Sequence, residues 1–288
     1  MNKPKAFIFG TGTTSKNILP SVEAKYEVIG YLDNNKSQLG GNIYPPEKLL
    51  TEYFDCVIIA SLPGLTVIKE QLLNMGIEHG RIITDYVEQS VKSRIVFLEN
   101  LAKHFQDIGM EGNVAEGGVL QGEFAKEINR VFPEKKLYLF DTFEGFSEKD
   151  TDIEKQKQFS VYGKGYLNIT SEDLVLKKLP HPENVVIRKG YFPETAKDID
   201  DTFCFVNLDF DLYKPILAGL EYFYPRMASG GAILIHDYFN EGFKGVKQAV
   251  RDFAETLSEP LRLLPIGDGF SICVIVQITM WNPLNEGI

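Results

Sequence analysis

The sequence predicts an α/β chain in which a doubly wound sheet follows a smaller α/β domain, and three observations carry that expectation. Short apolar runs alternate with amphipathic helical stretches along most of the chain. The 288 residues exceed one average domain of roughly 100–200 residues. Hydrophobic residues make up 44% and charged residues 24%, enough apolar surface for a core throughout, which argues against disorder.

In the first 86 residues, Lys5–Phe9 reads as a short strand followed by the turn GTGTTS and a helix that Pro20 should limit. Tyr26–Leu32 reads as a second strand ending at Asp33, and residues 55–61 as a third. Residues 66–75 form an amphipathic pattern closed by Gly76, and residues 81–84 supply a fourth strand. From Tyr86 to Gly112, the spacing of Val91, Ile95, Leu98, Leu101, Phe105 and Ile108 predicts one long amphipathic helix with a packed face. Residues 1–86 are thus expected as a small domain, 87–112 as a connecting helix and 113–288 as the large domain. In that last part NVAEGG, a helix over 124–131, KLYLFD, VVIRKG, FCFVNLDFD, GGAILIHD and SICVIVQI follow in order. The polar stretch 148–178, with Gly163 and Gly165, reads as an insertion loop or lid.

Forty acidic against 30 basic residues give a formal charge of -10 with no Lys/Arg cluster, so electrostatics oppose a nucleic-acid partner. No apolar run reaches the roughly 20 residues of a membrane span, and the opening MNKPKAFIFGTG is not a secretory pattern, so a cytoplasmic location is expected. Cys56, Cys204 and Cys273 lie in apolar runs without CxxC spacing, which predicts core packing in place of a disulfide or zinc site.

In open α/β sheets, ligands gather outside the carboxyl ends of the strands. Here those ends carry Glu116, Asp141, Gly190, Asp209 with Asp211, and His236 with Asp237. Glu116-Gly117-Gly118, with Gly122 beyond, precedes a helix, where glycine lets backbone approach a ligand; a plain structural turn reads equally well. Asp141 ends the next strand, where a carboxylate can accept the hydroxyls of a nucleoside ribose. Asp211 is expected to cap the following helix, and Tyr222, Phe223 and Tyr224 to pack against the sheet.

The blocks EGNVAEGGVLQGEFAKEI, KLYLFDTFEGF, GYFPET, VNLDFDLYKPILAGLEYFYPRMASGGAILIHDYF and GVKQAVRDF resemble the macrocin O-methyltransferase (TylF-type) family, in family order across residues 112–276. The resemblance implies a class I methyltransferase sheet, S-adenosylmethionine as methyl donor, a divalent metal such as Mg²⁺ or Mn²⁺ and a sugar hydroxyl as acceptor. It also implies a homo-oligomer. Carried across by position, Glu116, Gly117 and Gly118 would line the methionine end of the cofactor, Asp141 would hold its ribose, and Thr142 and Phe143 would lie beside the adenosine. The family's metal residues fall on Asp209, His236 and Asp237.

The chain departs from the family at one of these, since the usual Asp-Asp pair reads His236-Asp237. Imidazole suits Mn²⁺, Fe²⁺ or Zn²⁺ better than Mg²⁺. Asp209 and Asp237 are therefore expected as ligands, and His236 either as a ligand to a softer metal or as the catalytic base that takes the acceptor proton.

In the small domain, Gly10-Thr11-Gly12-Thr13-Thr14-Ser15 with Asp33 about 20 residues on matches most of a dinucleotide fingerprint, Ser15 replacing the last glycine. It resembles the truncated Rossmann-like domains found beside sugar-modifying enzymes and is expected to supply one mononucleotide-binding half. It reads either as a nucleotide site at Gly10, Gly12 and Asp33 or as a docking or oligomerisation platform that keeps the turn for its fold. The leading function is an S-adenosylmethionine-dependent O-methyltransferase acting on a sugar hydroxyl of a glycoside, nucleotide-sugar or polysaccharide precursor. Two others stand beside it: a nucleotide-dependent oxidoreductase run by the first domain, disfavoured because no Tyr-xxx-Lys accompanies the fingerprint, and a non-catalytic binding protein.

Overall fold

Buried apolar strands flanked by polar turns set the architecture of the computed structural model, which describes residues 3–62 and 64–276. The chain divides into two units, Met1–Ser93 and Arg94–Ile288.

In the first unit, β1 (Lys5–Phe9) leads into α1 (Thr13–Lys25), β2 (Glu27–Leu32), β3 (Ile43–Tyr44), β4 (Cys56–Ile59), α2 (Leu65–Asn74) and β5 (Ile82–Ile83). The five strands form a parallel sheet in the order β3-β2-β1-β4-β5. Phe7, Ile8, Phe9, Val57, Ile58 and Ile59 are buried without alternation, as expected of parallel strands covered on both faces. Two expectations need correction. Pro20 lies inside α1, which runs on to Lys25 because fully buried Val22 holds its last turn on the sheet and accepts the Tyr26 amide. The sheet is also more than one mononucleotide-binding half, since β4 pairs with β1 on the side opposite β2 and creates a reversal of strand order.

The helix α3 (Asp85–Asp107) follows, and the division between the units falls inside it. Leu98 and Phe105 are buried as the helical spacing predicts and Ile95 and Leu101 are partly buried, whereas Val91 and Ile108 are exposed.

The second unit contains β6 (Asn113–Gly117), α4 (Glu123–Val131), β7 (Leu137–Asp141), α5 (Glu148–Lys157), α6 (Glu172–Leu176) and β8 (Val185–Lys189). It continues through β9 (Phe203–Leu208), α7 (Tyr213–Phe223), β10 (Met227–Ile235), α8 (Lys244–Glu255), β11 (Arg262–Pro265) and β12 (Ile272–Ile275). The sheet order is β11-β12-β10-β9-β6-β7-β8, with β12 antiparallel to both neighbours. Alternation along β10 feeds two cores. Ile233 and Ile235 join residues of α7 and α8, while Ala232 and Leu234 join residues of α3 and α4. Cys56, Cys204 and Cys273 are free and buried. Of the final predicted strand, Gln277 and Ile278 lie outside the described residues.

The stretch 148–178 is not a bare loop. It holds α5, whose buried Glu154 accepts the Tyr213 amide through Oε1 at 2.8 Å and so caps α7. That is the position expected for Asp211. Asp211 instead adopts a left-handed backbone, φ +62°, one residue before the Leu212 cap position, and turns toward Asp237.

Candidate active site

Strand β6 pairs with β7 on one side and β9 on the other, so the crevice at this reversal opens past the carboxyl ends of β6 and β9. Glu116 stands opposite Asn207 in the ladder, and the Asn207 amide donates to Glu116 Oε1 at 2.7 Å. Glu116 Oε2 is buried and has no hydrogen-bond partner among the described residues. Burial first, and then the charge of Asp209, push the Glu116 carboxyl up to about 8.

Gly117 and Gly118 have a packing reason to be glycine. A Cβ at 117 would strike the Phe210 ring, and one at 118, where φ is +79°, would collide with the Asp209 carbonyl. The turn after β6 thus rests directly on the end of β9.

Asp141 ties this turn to the neighbouring strand. Its Oδ2 accepts the amides of Val119 at 2.7 Å and Leu120 at 3.0 Å, and its Oδ1 accepts the amide of Phe143 at 2.7 Å. Thr142 closes the local turn by donating to the Gly145 carbonyl at 3.0 Å. Phe143, at φ +56°, is 8% exposed and packs in the core with Val119, Val175 and Leu179.

The ends of β9 and β10 bring Asp209, His236 and Asp237 together, with one donor atom from each within 4.8 Å of the others. His236 Nδ1 lies 2.9 Å from Asp209 Oδ1 and 3.3 Å from Asp237 Oδ2. Burial alone would lower the imidazole, but the charges of Asp209 and Asp237 override it and raise its pKa to about 10. Burial likewise works against both carboxylates, and both are held below the ordinary carboxylate range, Asp209 by His236 and Arg94 and Asp237 by His236 and its hydrogen bonds. Asn240 donates to Asp237 Oδ1 at 2.6 Å. Asp211, desolvated and beside the negative Asp237, keeps its proton well above the usual range. Asp237, like Asp211, sits in left-handed backbone, at φ +58°. Strained residues of this kind concentrate at functional sites.

The protein-family comparison matches the macrocin O-methyltransferase (TylF) model to residues 89–265, more than half the chain. The chain belongs to the macrocin O-methyltransferase family. It is accordingly a methyltransferase with the class I fold, and the sheet order above is the framework of that fold. Residues 2–83 match a separate model, C2185-like, N-terminal. Two solved structures share the architecture. The O-methyltransferase NovP is 18% identical over 65% of this chain and 80% of its own, with a TM-score of 0.54. The calicheamicin methyltransferase CalS11 is 19% identical over 79% and 88%, with a TM-score of 0.51. No curated protein matches.

For a methyltransferase of this family, the residues have the chemistry to hold S-adenosylmethionine and a divalent cation. Glu116 Oε2, without a hydrogen-bond partner among the described residues and beside a glycine turn, suits a cationic ligand end whose charge would ionise the buried carboxyl. Donor separations of 2.9 and 3.3 Å suit adjacent corners around a divalent ion, since bonds of about 2.1 Å at right angles span about 3.0 Å. In the first unit, Gly12 opens onto space, but Asp33 already accepts Thr11 Oγ1 at 2.5 Å and the Asn35 amide at 2.8 Å. No helix among the described residues is long and apolar enough to cross a membrane.

Sequence reasoning missed Arg94, Asn207, Glu154 and the stacked pair Tyr162 and Tyr166, whose rings are 4.1 Å apart. The YGKGY spacing was a signal for that pair; the other three carried none. Tyr222 and Phe223 pack in the core as expected, and the Tyr222 hydroxyl donates to the carbonyls of Ala196 and Ile199.

Proposed function

We propose that the chain is an S-adenosylmethionine-dependent O-methyltransferase of a sugar hydroxyl, in a glycoside, nucleotide-sugar or polysaccharide precursor, assisted by a divalent metal at Asp209, His236 and Asp237. The convergence of these three side chains beside the Glu116 corner supports it best. S-adenosylmethionine supplies, when bound, a methyl group on a positively charged sulfur; a divalent cation supplies Lewis acidity toward an otherwise un-ionised alcohol. The protein's own part is placement. Glu116 offers its free oxygen to the ammonium end of the cofactor, Asp141 holds the glycine turn and keeps lone-pair capacity on Oδ1 for ribose, and Thr142 and Phe143 shape the adjoining wall.

Between the two roles open to His236, the ligand role has the better support. The imidazole Nδ1 lies 2.9 Å from Asp209 Oδ1 and 3.3 Å from Asp237 Oδ2, the spacing of donors that share one cation. Its nitrogen favours Mn²⁺ over Mg²⁺. The test is transfer of labelled methyl from S-adenosylmethionine to a panel of glycosides and nucleotide-sugars, with calorimetry of S-adenosylhomocysteine. Transfer abolished by EDTA and restored by Mn²⁺ is expected. Undiminished transfer in EDTA removes the metal, and absence of S-adenosylhomocysteine binding removes the whole reading.

Homo-oligomerisation, a cytoplasmic location and a nucleotide at Gly10, Gly12 and Asp33 belong to the same proposal. Sedimentation, fractionation and nucleotide calorimetry test them in turn.

A further inference from the structure

We infer that Arg94 is a positioning residue that sets the orientation of both Asp209 and Asn207, and through them joins the acceptor and cofactor corners; this rests on the proposed roles of Asp209 and Glu116. The helix α3 delivers Arg94 to the end of β9 with only 12% of its side chain exposed. A guanidinium so buried needs partners. Asn207 and Asp209 are two residues apart, so both side chains leave the same face of the chain. One nitrogen, Nη2, donates to Asn207 Oδ1 and to Asp209 Oδ2, each at 2.9 Å. The guanidinium lies over the Phe124 ring, 3.9 Å from its centre, which fixes the plane from which both bonds are made.

Two consequences follow from those bonds. With Oδ2 of Asp209 held by Arg94, it is Oδ1 that faces His236 Nδ1, so Asp209 presents one oxygen to the centre. With its carbonyl oxygen held by Arg94, the Asn207 side chain must turn its NH₂ toward Glu116 Oε1. Without the guanidinium, either end of the Asn207 amide could face Glu116, and both Asp209 oxygens would be free to swing. Packing alone would be met by methionine and charge alone by lysine, but neither side chain can hold both acceptors at the present angle.

Wild type, Arg94→Met and Arg94→Lys are compared for Mn²⁺ uptake by electron paramagnetic resonance and for S-adenosylhomocysteine affinity by calorimetry, with urea melts reporting folding. Arg94→Met should bind Mn²⁺ about 10–100-fold and S-adenosylhomocysteine about tenfold more weakly, the usual effect of removing an orienting partner of a ligand. Arg94→Lys should recover stability but remain at least about threefold weaker for both. Affinities within about twofold of wild type in folded Arg94→Met, or in Arg94→Lys where the first variant does not fold, overturn the inference. If wild type takes up no Mn²⁺, the metal reading fails and the S-adenosylhomocysteine comparison alone decides the role of Arg94.

Discussion

Both sheets carry the same device after their first strand in chain order. In the first unit, Asp33 at the end of β2 accepts Thr11 of the glycine turn after β1. In the second, Asp141 at the end of β7 accepts Val119 and Leu120 of the glycine turn after β6. The difference lies across the strand-order reversal. There β4 runs out into Ala60 and Ser61, whose hydroxyl accepts the Gly64 amide, while β9 and β10 run out into Asp209, His236 and Asp237. A glycine turn tied to an acid is therefore common to both units. The chemical difference comes from the strands on the far side.

The sharpest break of this comparison is Asp209→Asn, expected to lower turnover on the order of 10³-fold, several kcal/mol of transition-state stabilisation, and to abolish Mn²⁺ uptake. Retained turnover would place the chemistry elsewhere. Next comes Asp141→Asn. An amide cannot accept three backbone N–H groups as the carboxylate does, so urea melts should show a loss of about 2–3 kcal/mol.

A third, smaller effect separates the units by pH. Glu154 is buried and its carboxyl is raised by that burial to about 7, above the ordinary 4.5 it has when unfolded. The folded state therefore binds the extra proton, and stability falls as pH rises from about 4.5 through 7, by about 1–3 kcal/mol in all. Glu154→Gln should remove its share of that slope in melts taken between pH 5 and 8 and leave the share of Glu116, which burial also raises; an unchanged slope would show that Glu154 does not titrate there. The smallest expected effect is Asp33→Asn, about 1 kcal/mol or less, because it loses only one hydroxyl and one amide bond at a half-exposed position. A loss in Asp33→Asn equal to that of Asp141→Asn would erase the distinction in load between the two turns.

Much of the fold was legible because buried parallel strands are near-continuous apolar runs ended by polar residues, as in FCFVNLDFD. The same rule brought out Glu116, Asp141, Asp209, His236 and Asp237. Two strands escaped it. β3 has two residues, and β11, with Arg262 and Leu264 exposed, presents no apolar run. Arg94 was hidden because an arginine in an amphipathic helix looks like a solvated residue until a strand more than a hundred positions later arrives beside it. Asp211 misled through a local rule. Helix capping predicts its use by the next helix, but Glu154 supplies the cap, and burial together with the charge on Asp237 raises the Asp211 carboxyl well above its ordinary range.

Because nothing larger than a hydrogen fits on Gly118 against the Asp209 carbonyl, the spacing between the two halves of the centre is set by backbone touching backbone. It works as a fixed gauge. Any side chain at position 118 would have to drive the two turns apart before the crevice between them could be reshaped.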